Sequence, residues 1–403
     1  MTTSIKKRHF NFFIVFLFVV VTIFASVRFL SSNVGKSIEI PERNVLSSEM
    51  SDQSLLVSDA PDSEMEPSVV VKNSTHIKTP EAVKAIYMSS WVASSASQRK
   101  RLVDLIDQTE LNSIVLDIKD STGKISFRTK DDLIESLGAS ENRIRDIEDF
   151  ISELHEKNIY VIGRISVFQD PYVVTKKPEW AIKKKSDGSV WKDRKGLSFL
   201  DPSNKEVWDY TMRIARESHR VGFDEINFDY IRYPSDGDMK NINYNLSEGE
   251  KREDNLEEFF KYLAEQMQEV DVVTSADVFG LTTEVSNDMG IGQLWEKIVP
   301  HFDYISPMVY PSHYPSGYAN LKNPAQYPGE VITKSLSAAI AKNKAMGEPI
   351  EKIRPWLQDF NLGATYDSEM VREQIDASYE LGLSSWMLWD PKNIYTAAAL
   401  NKN

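Results

Sequence analysis

The sequence predicts an α/β protein: a closed (β/α)8 barrel preceded by an N-terminal membrane anchor and a disordered stalk. Three observations predict it. An apolar run follows a basic cluster near the N-terminus, a polar stretch without periodicity comes next, and from about residue 82 short β-rich runs alternate with longer amphipathic ones.

In the first of these, Lys6, Lys7 and Arg8 precede the run 12–27, whose only polar residues are Thr22 and Ser26. Extended back to Phe10 and on to Leu30, the segment is about long enough to cross a bilayer at about 1.5 Å per residue. The basic flank predicts that the N-terminal end stays in the cytoplasm and the rest is exported. A cleaved signal peptide predicts the same side, but no small-x-small site surrounds Ala25 to Val27, and Arg28 follows at once. The expected organisation is therefore an anchor over residues 1–30, a flexible acidic Ser/Pro linker over 31–79 and a barrel over 80–403, outside the cytoplasm and tethered to the membrane. The linker is too polar for burial to offset the entropy of ordering it.

Strands are expected at 85–89, 113–118, 160–166, 223–230, 272–278, 304–309, 353–357 and 384–389. Helices are expected between them at 97–109, 145–157, 205–220, 256–269, 292–299, 334–345 and 368–381. Leu256, Phe259, Phe260, Leu263 and Met267 show the helical spacing. Eight strands over this length fit a closed barrel. An open doubly wound sheet calls for a Gly-rich turn after the first strand, where Ser89-Ser90-Trp91-Val92 stands instead. The longest loops follow the third strand (168–204) and the fourth (233–254), on the face where barrel active sites lie.

Composition excludes several functions. A net charge of −13, from 60 acidic against 47 basic residues, repels nucleic acid. With no cysteine there is no thiolate nucleophile, zinc–thiolate site or iron–sulfur cluster. HExxH and G-x-S-x-G are both missing, and no cofactor or metal is expected from any motif, an all-oxygen Ca²⁺ site in Asp-rich loops being left open by the sequence.

The strand ends carry the candidate chemistry. Asp229 lies among Ile226, Phe228 and Ile231, and Asp277 among Val273, Ala276 and Val278. A carboxylate in such a run is hydrogen-bonded, ion-paired or functional, because burying it alone is costly. Glycoside hydrolysis needs two carboxyls astride the scissile bond, about 5–5.5 Å apart for retention and about 6.5–9.5 Å for inversion. Adjacent strands can supply Asp229 as nucleophile or base and Asp277 as general acid. Asp117 follows as a third candidate with Asp120 behind it, and Glu225, deeper in the same strand as Asp229, is expected in a buried network. The competing role for each acid is an ion pair with Arg164, Lys119 or Arg232. Lys119, Asp120, Arg164, Tyr230, Arg232, Tyr310, His313, Trp356, Gln358, Trp389 and Asp390 are expected to contact substrate. Among the aromatics near strand ends (Trp91, Trp191, Tyr230, Tyr233, Tyr310, Tyr314, Trp356, Trp386 and Trp389), Trp191 and Tyr314 sit in polar loops and are the expected platforms for sugar rings. The bland alternative for the set is core packing.

Three strings, Leu116-Asp117-Ile118-Lys119-Asp120, Phe228-Asp229-Tyr230-Ile231-Arg232-Tyr233-Pro234 and Arg354-Pro355-Trp356-Leu357-Gln358-Asp359-Phe360, together with 275–280, 306–314 and 385–391, resemble a bacterial glycosyl hydrolase domain family. The resemblance spans roughly residues 82 to 395 and implies a TIM barrel related to α-amylase-like glycoside hydrolases, acting on a poly- or oligosaccharide. It places Asp229 at the nucleophile position and Asp277 where those enzymes carry Glu. Chitinase-like barrels end their fourth strand D-x-x-D-x-D-x-E; here Asp224, Asn227, Asp229 and Ile231 fill those places, and Ile231 cannot act as the acid. The expected function is hydrolysis of an extracytoplasmic polysaccharide by two carboxylates, with a catalytically silent carbohydrate-binding barrel as the alternative.

Overall fold

In the computed structural model, which describes residues 76–402, the eight strands are β1 (Lys84–Met88), β2 (Ser113–Lys119), β3 (Tyr160–Ser166), β4 (Glu225–Asp229), β5 (Val273–Phe279), β6 (Tyr304–Met308), β7 (Trp356–Gln358) and β8 (Trp386–Trp389). All run parallel, each pairs with the next, and β8 closes on β1 through Lys84↔Trp386. The principal helices are α1 (Ala96–Gln108), α2 (Ile147–Glu156), α3 (Lys205–Arg220), α4 (Arg252–Gln268), α5 (Trp295–Ile298), α6 (Pro328–Met346) and α7 (Ser368–Glu380). Every expected strand has its counterpart. The helices differ more: α4 starts four residues early, α6 starts at Pro328, and α5 is a single turn.

Strand alternation splits the core into two shells. Outward-facing side chains such as Ile114, Leu116, Val161, Ile226, Phe228 and Ala276 pack against the helices. Inward-facing Ala85, Tyr87, Val115, Tyr160, Ile162, Trp356 and Met387 fill the barrel itself. Gly163 faces outward where Ile118 and Phe223 close over it, so a Cβ there would collide with the Ile118 side chain.

The base of the barrel is tied to the start of the described chain. Asp224 accepts from the backbone of Ile77 and Val161 at 2.9 Å each and pairs with His155 Nε2 at 2.9 Å. Thr79 bonds the Tyr160 hydroxyl at 3.0 Å. The last residues of the expected linker, from 76 to 79, thus lie on the barrel.

The expected anchor finds no support in the structure. No helix among the described residues is long and apolar enough to cross a membrane, and residues 1–30 lie outside those described. The membrane partner and the extracytoplasmic placement rested on that segment and are likewise unsupported.

Candidate active site

Register brings the candidate acids to one end of the barrel. Asp117 of β2 is level with Arg164 of β3, Arg164 with Asn227 of β4, and Asn227 with Ser275 of β5. Asp229 lies two residues beyond Asn227, and Asp277 two beyond Ser275, all on the inner face. Asp229 and Asp277 therefore face into one mouth from neighbouring strands.

Arg164 is the centre of this cluster. Its Nη1 donates to Asp117 Oδ1 at 2.8 Å, and its Nη2 and Nε donate to Asp229 Oδ2 at 2.5 and 3.1 Å. The same Nε stands 3.9 Å from Asp277 Oδ2. Sharing one nitrogen keeps Asp229 and Asp277 too close for the wide end of the inverting range, about 9.5 Å. All four residues are nearly buried.

The two central acids have opposite surroundings. Asp229 receives only donors, two from the guanidinium and one from the Tyr230 amide at 2.6 Å, which suits an ionised, acceptor-only carboxylate. Asp277 receives Asn227 Nδ2 at 2.9 Å and Trp356 Nε1 at 2.8 Å, both on Oδ1, leaving Oδ2 to carry a proton. Burial first, and the Asp229 charge second, push Asp277 up to about 8 against the opposing pull of Arg164. Asp117 is also raised, chiefly by burial, with Arg164 pulling it back; the Tyr87 hydroxyl donates to its Oδ2 at 2.5 Å. Asp117 thus orients Arg164 rather than facing open space.

Tyr230 follows Asp229 at φ 54, a left-handed conformation that costs a non-glycine residue about 1–2 kcal/mol. The turn aims the Asp229 carboxylate back at its own chain amide and places the Tyr230 ring under Arg232, 5.0 Å from the guanidinium carbon. Arg232 also covers the Phe279 ring at 4.8 Å. Across the mouth, Trp389 stacks on Tyr87 at 4.0 Å and meets Trp356 edge-on at 5.6 Å. Tyr310 packs with His313 and Phe360 at 5.3 and 5.7 Å. Its hydroxyl, held well above its usual pKa by burial and by the Asp277 and Asp229 charges, remains a donor.

Several of the expected contacts are engaged within the protein. Lys119 is sealed beyond a register shift in β2, paired with Asp170 at 2.7 Å and donating to Ser166 O at 2.8 Å. Asp120 pairs with Arg143 at 2.6 Å and caps Thr122. Gln358 is buried, accepting from Ser312 N at 3.1 Å and donating to Phe360 O at 2.8 Å, so it ties two mouth loops together. Asp390 accepts from Lys392 N and holds the loop after β8; burial pushes it up to about 6. Trp191 and Tyr314, the expected platforms, are buried: Trp191 donates to Asp238 O, and the Tyr314 hydroxyl bonds Ser335. Of the aromatics expected near strand ends, Trp91 is exposed, 61% accessible after β1 and stacked by Arg143 at 4.0 Å. Tyr87 and Asn227 were missed as site residues. Parity was the available signal, since Asn227 precedes Asp229 by two residues.

A hollow of about 1000 Å³ lies between α6 and α7, lined by Lys334, Glu369, Arg372, Glu373 and Asp376 among others. It is outside the barrel and shares no residue with the acid cluster. Among the described residues, no group of three or more His, Asp or Glu side chains is arranged to hold a metal ion.

The chain is a closed parallel barrel with acids gathered at the C-terminal ends of its strands, the face where barrel active sites lie, and its fold is glycoside-hydrolase-like. The chain belongs to the family described as "Putative glycosyl hydrolase domain", which it matches over residues 85–395. A solved structure of a hypothetical protein from Ruminiclostridium thermocellum is 37% identical, covering 48% of this chain and 97% of that one, with a TM-score of 0.44. The PgaB (BpsB) glycoside hydrolase domain from Bordetella bronchiseptica is similar in fold, at 14% identity and a TM-score of 0.55 over 77% of this chain and 94% of that one. No curated protein matches the chain.

Proposed function

We propose that the chain is a glycosidase in which Asp277 protonates the leaving oxygen while ionised Asp229 acts from the other side as nucleophile or base. The observation that carries this reading is the contrast between the two acids: Asp229 takes three N–H donors, whereas Asp277 is pushed up to about 8, with both its hydrogen bonds on Oδ1 and Arg164 Nε 3.9 Å from Oδ2. A carboxyl held protonated beside one that accepts only N–H donors forms an acid/base pair at neutral pH. Arg164 fixes Asp229, Asp117 holds Arg164, and Tyr310 stands ready to donate to a sugar hydroxyl. The half-buried Trp389 and Tyr230, with exposed Trp91 farther out, offer flat faces to sugar rings. The family's description as glycosyl hydrolases supports the same reading.

The silent carbohydrate-binding barrel is favoured by one observation, the Arg164 Nε that reaches both acids where a scissile oxygen would lie. The test is turnover of a panel of oligosaccharides by wild type, Asp229→Asn and Asp277→Asn. A glycosidase loses about 10²–10⁴-fold in kcat with either change. Glycan binding without turnover by wild type leaves the binding barrel, and turnover indifferent to both changes removes these acids from the mechanism.

A further inference from the structure

We propose that the excursion between β3 and α3 is a binding lobe for an acidic polysaccharide, a sugar chain bearing carboxylate groups, which it feeds to the acid pair. The inference deepens the glycosidase reading and rests on it for the meaning of the neighbouring mouth. On a chain with net charge −13, the stretch 176–195 carries eight Lys or Arg against three Asp or Glu. Lys176, Lys185, Lys192, Arg194 and Lys195 are exposed. Of the charged pairs available, Lys177 takes Glu179 and Arg194 takes Asp236, at 3.4 and 3.3 Å. Asp187 is tied to Ser189, and Asp193 accepts from the amides of Lys195 and Leu197. Lys176, Lys185, Lys192 and Lys195 have no ion-pair partner among the described residues.

The lobe is folded rather than a loose charge run. Lys183–Lys184 pairs antiparallel with Ile242–Asn243 from the loop after β4, and further bridges join Lys183 to Val190 and Lys192 to Ser198. Trp180, Trp191 and Phe199 are buried beneath, so the basic side chains are displayed on a fixed support. The lobe is also continuous with the mouth. From Asp229 the chain passes to Tyr230 and Arg232; Arg232 reaches Ser235 Oγ at 3.3 Å, and Asp236 next to it holds Arg194. Asp193 is near enough to Tyr230 and Arg232 to act on both electrostatically.

The chemistry favours a sugar chain over other polyanions. Single-stranded nucleic acid needs exposed aromatic platforms, and the tryptophans of this lobe face inward. A lipid surface calls for an exposed apolar face beside the charges, and among the lobe's large apolar residues Trp180, Ile182 and Trp191 are buried. A polyanionic glycan needs only spaced cations leading to the cleavage site.

The test is retardation of the full chain in native gels containing polygalacturonate, neutral dextran or poly(dT), with wild type and Lys185→Glu/Lys192→Glu/Lys195→Glu. Polygalacturonate is expected to retard wild type, and the triple change to weaken that binding by about tenfold or more. Raising salt from about 50 mM to about 500 mM should abolish it. The lobe assignment is overturned if polygalacturonate does not retard wild type, if the charge-reversed variant binds equally, or if dextran or poly(dT) binds as well. Binding needs no bond cleavage, so retained polygalacturonate binding without hydrolysis defeats the glycosidase alone. Hydrolysis of a neutral glycan without polygalacturonate binding defeats the lobe alone.

Discussion

Two arginines sit inside the barrel, one halfway down and one at the mouth, and their charges are settled differently. In the interior, Arg354 Nη1 contacts both oxygens of Glu225 at 2.8 and 2.9 Å, and both side chains are fully buried. One cation meets one anion, the Tyr160 hydroxyl adds a bond at 3.1 Å, and the guanidinium lies over the Tyr304 ring at 3.7 Å. At the mouth, Arg164 faces Asp117, Asp229 and Asp277. One cation cannot neutralise three buried carboxylates, so the cluster lowers its energy by keeping a proton. The lower pair is balanced in charge; the upper cluster holds more acid than base, and its surplus proton is the one the proposed general acid would donate.

The largest effect that separates the two regions is on stability. Arg354→Met leaves Glu225 buried and unpaired, and is expected to cost about 3–5 kcal/mol in denaturant unfolding. Turnover per folded molecule should stay near wild type, and adding Glu225→Leu should restore much of the loss. If Arg354→Met instead leaves stability intact and removes activity, the interior pair belongs to the chemistry and the division between the regions fails.

A smaller effect concerns pH. Asp277 has a folded-state pKa above its unfolded value, so the folded state binds the extra proton between the ordinary carboxylate range and about 8. Its contribution to stability is full below that window and is lost as pH rises through it, by at most about 1.4 kcal/mol per pH unit. Asp277→Asn cannot titrate and lacks this slope. The Tm of the variant relative to wild type should therefore climb from about pH 5 to about pH 8 and level off above. A difference independent of pH would mean that Asp277 is ionised throughout.

Much of the barrel was legible because its signals are local. Short β-rich runs and period-3.6 patterns located every strand and most of the helices, and strand parity brought Asp229 and Asp277 to one mouth. Pairing was harder to read. Arg164 was expected against substrate, with an ion pair to one of the acids as the competing role; its partners lie 47 and 65 residues away on β2 and β4, and register shows that it faces both. Lys119 escaped the parity rule because β2 shifts register between Asp117 and Lys119, turning that side chain away from the mouth. Trp191 sits in a polar loop but is covered where the loop after β4 brings Gly237 close against its ring. Polarity of the flanking residues thus misjudged exposure. Residues 1–30 read as a spanning segment on hydropathy alone, and no described helix supports that reading.

The most direct test is a titration of the Asp277 carboxyl itself, by carbon NMR of the chain labelled at aspartate carboxyls, with Asp277→Asn to identify the resonance. The expected result is a resonance protonated at pH 7 that titrates near 8 and shifts downward in Asp229→Asn, where the neighbouring negative charge is gone. A resonance that titrates in the ordinary carboxylate range, unaffected by Asp229→Asn, would contradict it and leave the mouth without a general acid.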